Sequence, residues 1–235
     1  MMSLEEIIFF NRVPNVKRLH EFGFQRSPDG TQLQWEKTIH DGDFTMRVSA
    51  DTAQSTFETH VYDTDFDDEY VVFRQADDTG AFAGSVREEV IETLKDIAIH
   101  CCDIDPTYTP KIWIVPSNMK LFDLDRAFSM TDILMWQQVR GVKVGDEVFV
   151  YNSAPESALR YRCQVIQTHI PYEYKDEHFE MHEVMDLKKL DVYAPEQWNL
   201  PILRTYGVTT VRGPRHMPDM LRKAIMRESA QIDKR

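Results

Sequence analysis

Two tryptophans stand where an aromatic ring would be chemically useful. Trp113 lies inside the apolar run "KIWIVPSN", and Trp136 precedes the turn "VKVGD" at residues 142–146. An indole can fill a core, or it can form one wall of a slot for another flat ring. A slot also needs polar groups aimed at the ring's edge, and Ser117, Asn118, Gln137 and Asn152 are the nearest candidates. For Trp113 both readings stay open, because on a strand its ring projects to the face opposite Ile112 and Ile114 and would fill a barrel equally well. Trp136 reads as lying outside any strand, beside polar residues, which favours the slot. Tyr151 fits a barrel core better than a ligand contact, and Ser117 and Asn118, following Pro116, also suit a simple turn.

Cationic side chains near these residues are Arg140, Lys143, Arg212 and Arg215. They suit phosphate contacts, with ordinary solvated charge as the alternative. The net charge of −12 argues against a polyanionic partner for the chain as a whole. That charge is uneven: residues 1–109 carry about −13 and residues 110–235 about +1. The stretch from Leu200 onward is basic.

Other apparent signals are weaker. "DTDFDDE" at residues 63–69 has the look of a calcium loop, but Asp68 and Arg74 stand where the glycine and the distal glutamate belong, so a solvated hairpin tip is the better reading. His100, Cys101, Cys102 and the distant Cys163 lack metal-ligand spacing. His178 and His182 are four apart and could share one side of a helix, yet the glutamate of a zinc-protease motif is missing. We find no phosphate loop, nucleophile elbow, dinucleotide fingerprint or nuclease pattern, and so expect no enzyme, metal or cofactor. Three cysteines, two adjacent, argue against a disulfide framework. The opening "MMSLEEIIFF" lacks a signal-peptide pattern, and no run approaches the ~20 apolar residues of a membrane span, so a cytoplasmic protein is expected.

The elements that must position these residues fall into two sets. In the first, short helices over 4–10 and 16–22 precede four runs of period two, "TQLQWEKTIH", "DFTMRVSA", "STFETHVYD" and "EYVVFRQ". A long helix over 85–102 then presents Val86, Val90, Ile91, Leu94, Ile97 and Ala98 on one face. This predicts an acidic α+β domain with an antiparallel meander over residues 1–103. "DIDPTYTPK" supplies a linker at 104–110. In the second set, "KIWIVPSN", a short helix around "LFDLDRAF", a polar helix or turn holding Trp136, and strands "EVFVYNS", "ALRYRCQVIQTHI" and "EVMDLKKLDVY" lead to a terminal helix with Pro218 in its first turn. A small, partly closed β-barrel over 111–235 is expected.

The strings "IWIVPSN", "VKVGDEVFVYNSAP", "ALRYRCQVIQTHIP" and "YGVTTVRGPRHMPDMLRKAI" resemble the EVE domains of the PUA-like superfamily, over about residues 110–228. In the first half, "DDEYVVFRQADDTGAFAGSVREEVIETLKDIAIHC" is similar to the leading domain of MmcQ/YjbR-like proteins of lactic acid bacteria. The first resemblance implies a pseudobarrel whose pocket accepts a flipped, often modified, nucleobase of DNA or RNA. Trp113, Ser117, Asn118, Trp136, Gln137, Tyr151 and Asn152 would then line that pocket, with the four cationic residues on the backbone. The second resemblance says little about function, since the YjbR domain that normally follows is replaced by the EVE-like one. Its acidic domain would bind a protein partner or a second copy of the chain, or cover the basic groove as a nucleic-acid mimic. A different class of function is a protein-interaction or small-ligand-binding module whose pocket holds a metabolite.

Overall fold

A computed structural model describes residues 3–75, 80–176 and 180–232, with side chains to residue 228. The contacts divide the chain into two compact units, Met1–Tyr108 and Thr109–Arg235.

The first unit opens with α1 (Leu4–Ile8), whose start is closed by a reciprocal cap: the Ser3 hydroxyl accepts from the Glu6 amide, and the Glu6 carboxylate accepts from the Ser3 amide. After β1 (Arg12–Pro14), α2 (Val16–Phe22) begins at the side chain of Asn15 and stops at Gly23, whose φ of 118° only glycine adopts without strain. Next come β2 (Gln25–Arg26), β3 (Leu33–Ile39), β4 (Phe44–Asp51) and β5 (Thr56–Asp63), paired antiparallel in sequence order. α3 (Gly80–Cys101) buries all six apolar residues expected on its inner face. They share the unit's interior with Phe44, Met46, Val48 and Ala50, the alternate residues of β4. β6 (Cys102–Ile104) pairs antiparallel with β1. It runs one residue into the segment expected as linker, and the Asp105 amide still bonds Asn11.

The expected fourth strand, "EYVVFRQ", is not one. It makes a single bridge, Tyr62 to Glu69, then a 3-10 turn over Val72–Arg74. Only Phe73 is buried, while Val71 is exposed, so the segment has one anchor and no buried face. Arg74 turns inward to the Glu5 carboxylate and the Thr59 carbonyl. The fourth strand of the sheet is instead β2, too short for period-two patterning to reveal.

The second unit contains β7 (Ile112–Ser117), α4 (Leu124–Met130), β8 (Ile133–Gln137), β9 (Glu147–Asn152), β10 (Ala158–Lys175), β11 (Glu180–Val192), α5 (Leu200–Thr205), β12 (Arg215–His216) and α6 (Asp219–Ile232). Its six-stranded sheet has the order β12-β7-β9-β10-β11-β8, antiparallel except for β7 against β9. Trp136 is therefore on a strand, paired with Met185, and the expected polar helix or turn is absent. Pro218 stands one residue before α6, its carbonyl accepting from Arg222.

Both faces of this sheet are covered. Trp113, Val115, Val148, Val150 and Met185 share one core with Leu124 and Phe128 of α4. Ile114, Phe149 and Tyr151 share the other with Leu203 of α5 and Leu221 and Ile225 of α6. That is why "EVFVY" reads as a nearly continuous apolar run. Cys101, Cys102 and Cys163 are free and buried, and burial pushes their thiols up to about 11, 12 and 12.

Candidate functional site

Where β7 ends, the chain turns sharply. The Asn118 side-chain oxygen accepts from the Lys120 amide, and its carbonyl accepts from Leu121 and Phe122. α4 starts only at its cap, Asp123, so Leu121 and Phe122 are left outside the helix and substantially exposed. They face the end of β8, with Met135, Trp136 and Gln137, and the tip of the β10–β11 hairpin, with Tyr174, Asp176 and Met181. Together with Pro116 and Ser117 these residues enclose a cleft of about 470 Å³. That is ample for one nucleobase-sized ligand.

The walls are mostly apolar. Trp136 is half-buried, packed on the core at its back, and meets Phe122 edge-to-face, with ring centroids 6.0 Å apart and planes at 86°. At the floor is Ser117, 2% exposed, whose Oγ has no hydrogen-bond partner in the structure. Asn152 lies beside it in the parallel register of β7 and β9, equally buried. Its Nδ2 donates to Glu156 at 3.0 Å, while its Oδ1 is left unpaired. Unpaired buried polar atoms cost free energy, so such a pair marks a place where a water or another partner is wanted. Among the described residues Asp176 is the charged group of the lining, and no Lys or Arg contributes to it.

Four of the seven sequence-derived pocket residues, Ser117, Asn118, Trp136 and Gln137, thus come together around one cleft, with Asn152 beside Ser117 on the neighbouring strand and not in the lining. Trp113 does not join them. It is 8% exposed, its Nε1 donates to Asp146 Oδ2 at 2.9 Å, and the His216 ring lies 3.9 Å away. Tyr151 points into the core on the other face of the sheet. Nor does the cleft include Arg140, Lys143, Arg212 or Arg215. Three of these flank the Trp113 corner. Arg140 adjoins Gly141, at which an added Cβ would lie 3.7 Å from the Trp113 ring; the Lys143 amide donates to Asp146; and Arg215 pairs with Ile114. Arg212 is exposed in the loop before β12. Two other cations of the unit are paired internally: Arg162 is gripped by Glu147 and Asp191, which raise its pKa, and Arg160 by Glu156 and Asp125.

Sequence reasoning missed Leu121, Phe122, Met135, Tyr174, Asp176 and Met181. The available signal was an apolar pair, Leu121-Phe122, just ahead of the capping residue Asp123, where a soluble helix has no use for it. Asp146 was also passed over as a turn residue. It is fully buried and accepts from the amides of Lys111 and Lys143 and from Trp113 Nε1, at 2.7, 3.0 and 2.9 Å.

The remaining sequence signals resolve locally. Asp63 Oδ1 accepts from the amides of Asp65 and Phe66, capping its own turn. His182 lies on a strand and contacts Glu173 at 2.8 Å, while His178 lies outside the described residues. In the first unit His40 bridges Ser85 (3.0 Å) and Asp43 (3.3 Å), which resembles a nucleophile triad on paper. The Ser85 hydroxyl, however, donates to the Phe82 carbonyl at 2.8 Å, so its oxygen accepts from His40 and the contact ties α3 to the hairpin.

The fold is therefore a mixed α/β one built on antiparallel sheets, with one cleft in the second unit that combines aromatic walls and unpaired polar atoms. No protein-family model matches the chain, and no curated protein does. Solved structures similar to it include a ZmASCH mutant protein from Zymomonas mobilis, 8% identical, with a TM-score of 0.35 over 49% of this chain and 94% of that one. Rpa0253 from Rhodopseudomonas palustris is 15% identical, with a TM-score of 0.31 over 46% of this chain and 84% of that one.

Proposed function

We propose that the second unit is a nucleic-acid-binding module of PUA-like, EVE type, and that it holds a flipped base in the cleft against Trp136. The observation that carries this reading is that Trp136 and Ser117, whose buried Oγ is unpaired, line one cleft, which supports a stacking wall beside a hydrogen-bonding residue for a ring edge. Asn118 and Gln137 add donors and acceptors at the rim. The module's proposed role is binding; among the described lining residues no nucleophile is paired with a base.

The test is titration of the full chain with single- and double-stranded DNA and RNA, unmodified and carrying methylated or hydroxymethylated bases, at two salt concentrations. Salt-dependent binding that Trp136→Ala weakens by ~1–3 kcal/mol supports the reading. Binding that Trp136→Ala leaves unchanged sinks it.

A second reading has one observation in its favour. The absence of Lys and Arg among the described lining residues suits a small flat metabolite better than a phosphodiester. Flat isotherms with every oligonucleotide, together with thermal stabilisation by a small molecule, would decide for it.

A further inference from the structure

We infer that the main chain of β8 reads the base: the amide and carbonyl of Met135, with those of Gln137 beside them, bond the Watson–Crick edge of the ring that stacks on Trp136. This rests on the base reading proposed above and adds which edge is read, and therefore which modifications the cleft excludes.

Among the described residues β8 is the last strand of its sheet, with β11 on one side and no strand on the other. The Asp132 carbonyl accepts from the Lys189 amide, and the Gln138 amide donates to the Glu183 carbonyl, so the even-numbered residues between them face β11. The amides and carbonyls of Ile133, Met135 and Gln137 therefore point to the open edge. Both groups of Ile133 are taken by the Thr131 hydroxyl. Past the strand, the Val139 carbonyl accepts from the Val142 amide. Among the described residues nothing pairs the edge groups of Met135 and Gln137, and both residues line the cleft. Trp136 also lines it, and on a strand its side chain projects to the face opposite theirs. One cleft that touches neighbours on opposite faces must pass the edge between them, and β11 closes the other edge. The open stretch spans about 7 Å, the repeat of two strand residues. That is too short to add a peptide strand and matches the width of one base. A residue's amide and carbonyl set a donor beside an acceptor, as the Watson–Crick edge of every base does.

The first arm of the test varies the base. The full chain would be titrated, by anisotropy at fixed salt, with short single strands of RNA and of DNA carrying one test base: uracil or thymine, cytosine, adenine or guanine. Each is compared with its form methylated on the Watson–Crick nitrogen, N3 of a pyrimidine or N1 of a purine. The base that binds tightest should lose about tenfold or more when so methylated, since a hydrogen bond goes and the methyl meets the strand. The second arm varies the strand. Met135→Pro removes an amide that bonds nothing in the ladder, and an edge strand tolerates proline at such a position. Met135→Ala keeps that amide. The proline variant is expected to bind about tenfold more weakly than the alanine variant, the loss of one hydrogen bond. Equal affinity for the methylated and unmethylated forms, or a folded Met135→Pro that binds as Met135→Ala does, overturns the inference and leaves base reading standing. If the proline variant does not fold, the methylated bases decide alone. Failure of every oligonucleotide to bind overturns both.

Discussion

The two tryptophans of the second unit face the same question in sequence and receive opposite answers in structure. Around Trp113 the buried polar groups are paired. Its indole nitrogen is bonded to Asp146, Asp146 in turn takes two backbone amides, and the ring is covered by His216. Around Trp136 one polar group is unspent: the indole packs on the core, and the cleft beside it is lined by exposed Phe122 and by Ser117, whose buried hydroxyl is unpaired. The cleft differs from the closed corner in its unpaired hydroxyl more than in its residue types. The basic residues Arg140, Lys143 and Arg215 gather near the closed corner and not at the open cleft. Positive charge in this sequence therefore does not point to the cleft.

The comparison breaks most visibly at Asp146. Asp146→Ala strands three donors at a buried site, and the expected loss of stability is about 3–5 kcal/mol, seen as a large fall in the denaturant midpoint. Trp113 fluorescence should shift as its nitrogen loses its partner. A variant with parental stability would mean that the corner is not what holds β7 against the turn.

Trp136→Ala should behave in the opposite sense. The side chain is only half-buried, so stability should change much less than with Asp146→Ala, while ligand affinity falls by ~1–3 kcal/mol. Equal damage to stability from the two substitutions would erase the distinction between corner and cleft.

Much of this distinction was legible in the sequence, and the unread part has physical causes. Helices with caps and clean periodicity, such as 16–22 with Asn15 and Gly23, can be read directly, because the stop and start chemistry is local. Four pocket residues were legible because two short stretches, 117–118 and 136–137, carry the needed side-chain types. Trp136 was misplaced outside the sheet because "ILMWQ" has two exposed apolar residues, Ile133 and Met135, that disguise an edge strand's alternation. Asp176 and Tyr174 were invisible because they reach the cleft only through the long β10–β11 hairpin, a non-local pairing that no spacing rule reports.

A smaller effect probes the closed side from its interior. Cys163 sits in the core with Trp113, and burial raises its thiol from 9.0 to about 12. The folded pKa lies above the unfolded one, so the contribution is fully present below pH 9 and is lost as pH rises from 9 towards 12. Each unit of pH in that window costs about 1.4 kcal/mol for this thiol. Denaturation of the parent and of Cys163→Ala at pH 8 and 10 should show the variant losing part of the alkaline slope; identical slopes would mean that the thiol is open to solvent.

The smallest effect on stability is expected at the cleft floor. Ser117 Oγ is buried and unpaired, so Ser117→Ala removes a desolvated hydroxyl and gives up no hydrogen bond, and stability should stay within about 1 kcal/mol of the parent. Affinity should nonetheless fall, by about 0.5–1.5 kcal/mol, if the ligand's edge is what that hydroxyl awaits. The two readouts must separate for the cleft to be a site. A loss of stability above 2 kcal/mol would show that the hydroxyl already has a structural partner, such as a buried water bridging it to Asn152 Oδ1, and the floor would then belong with the spent polar groups around Trp113.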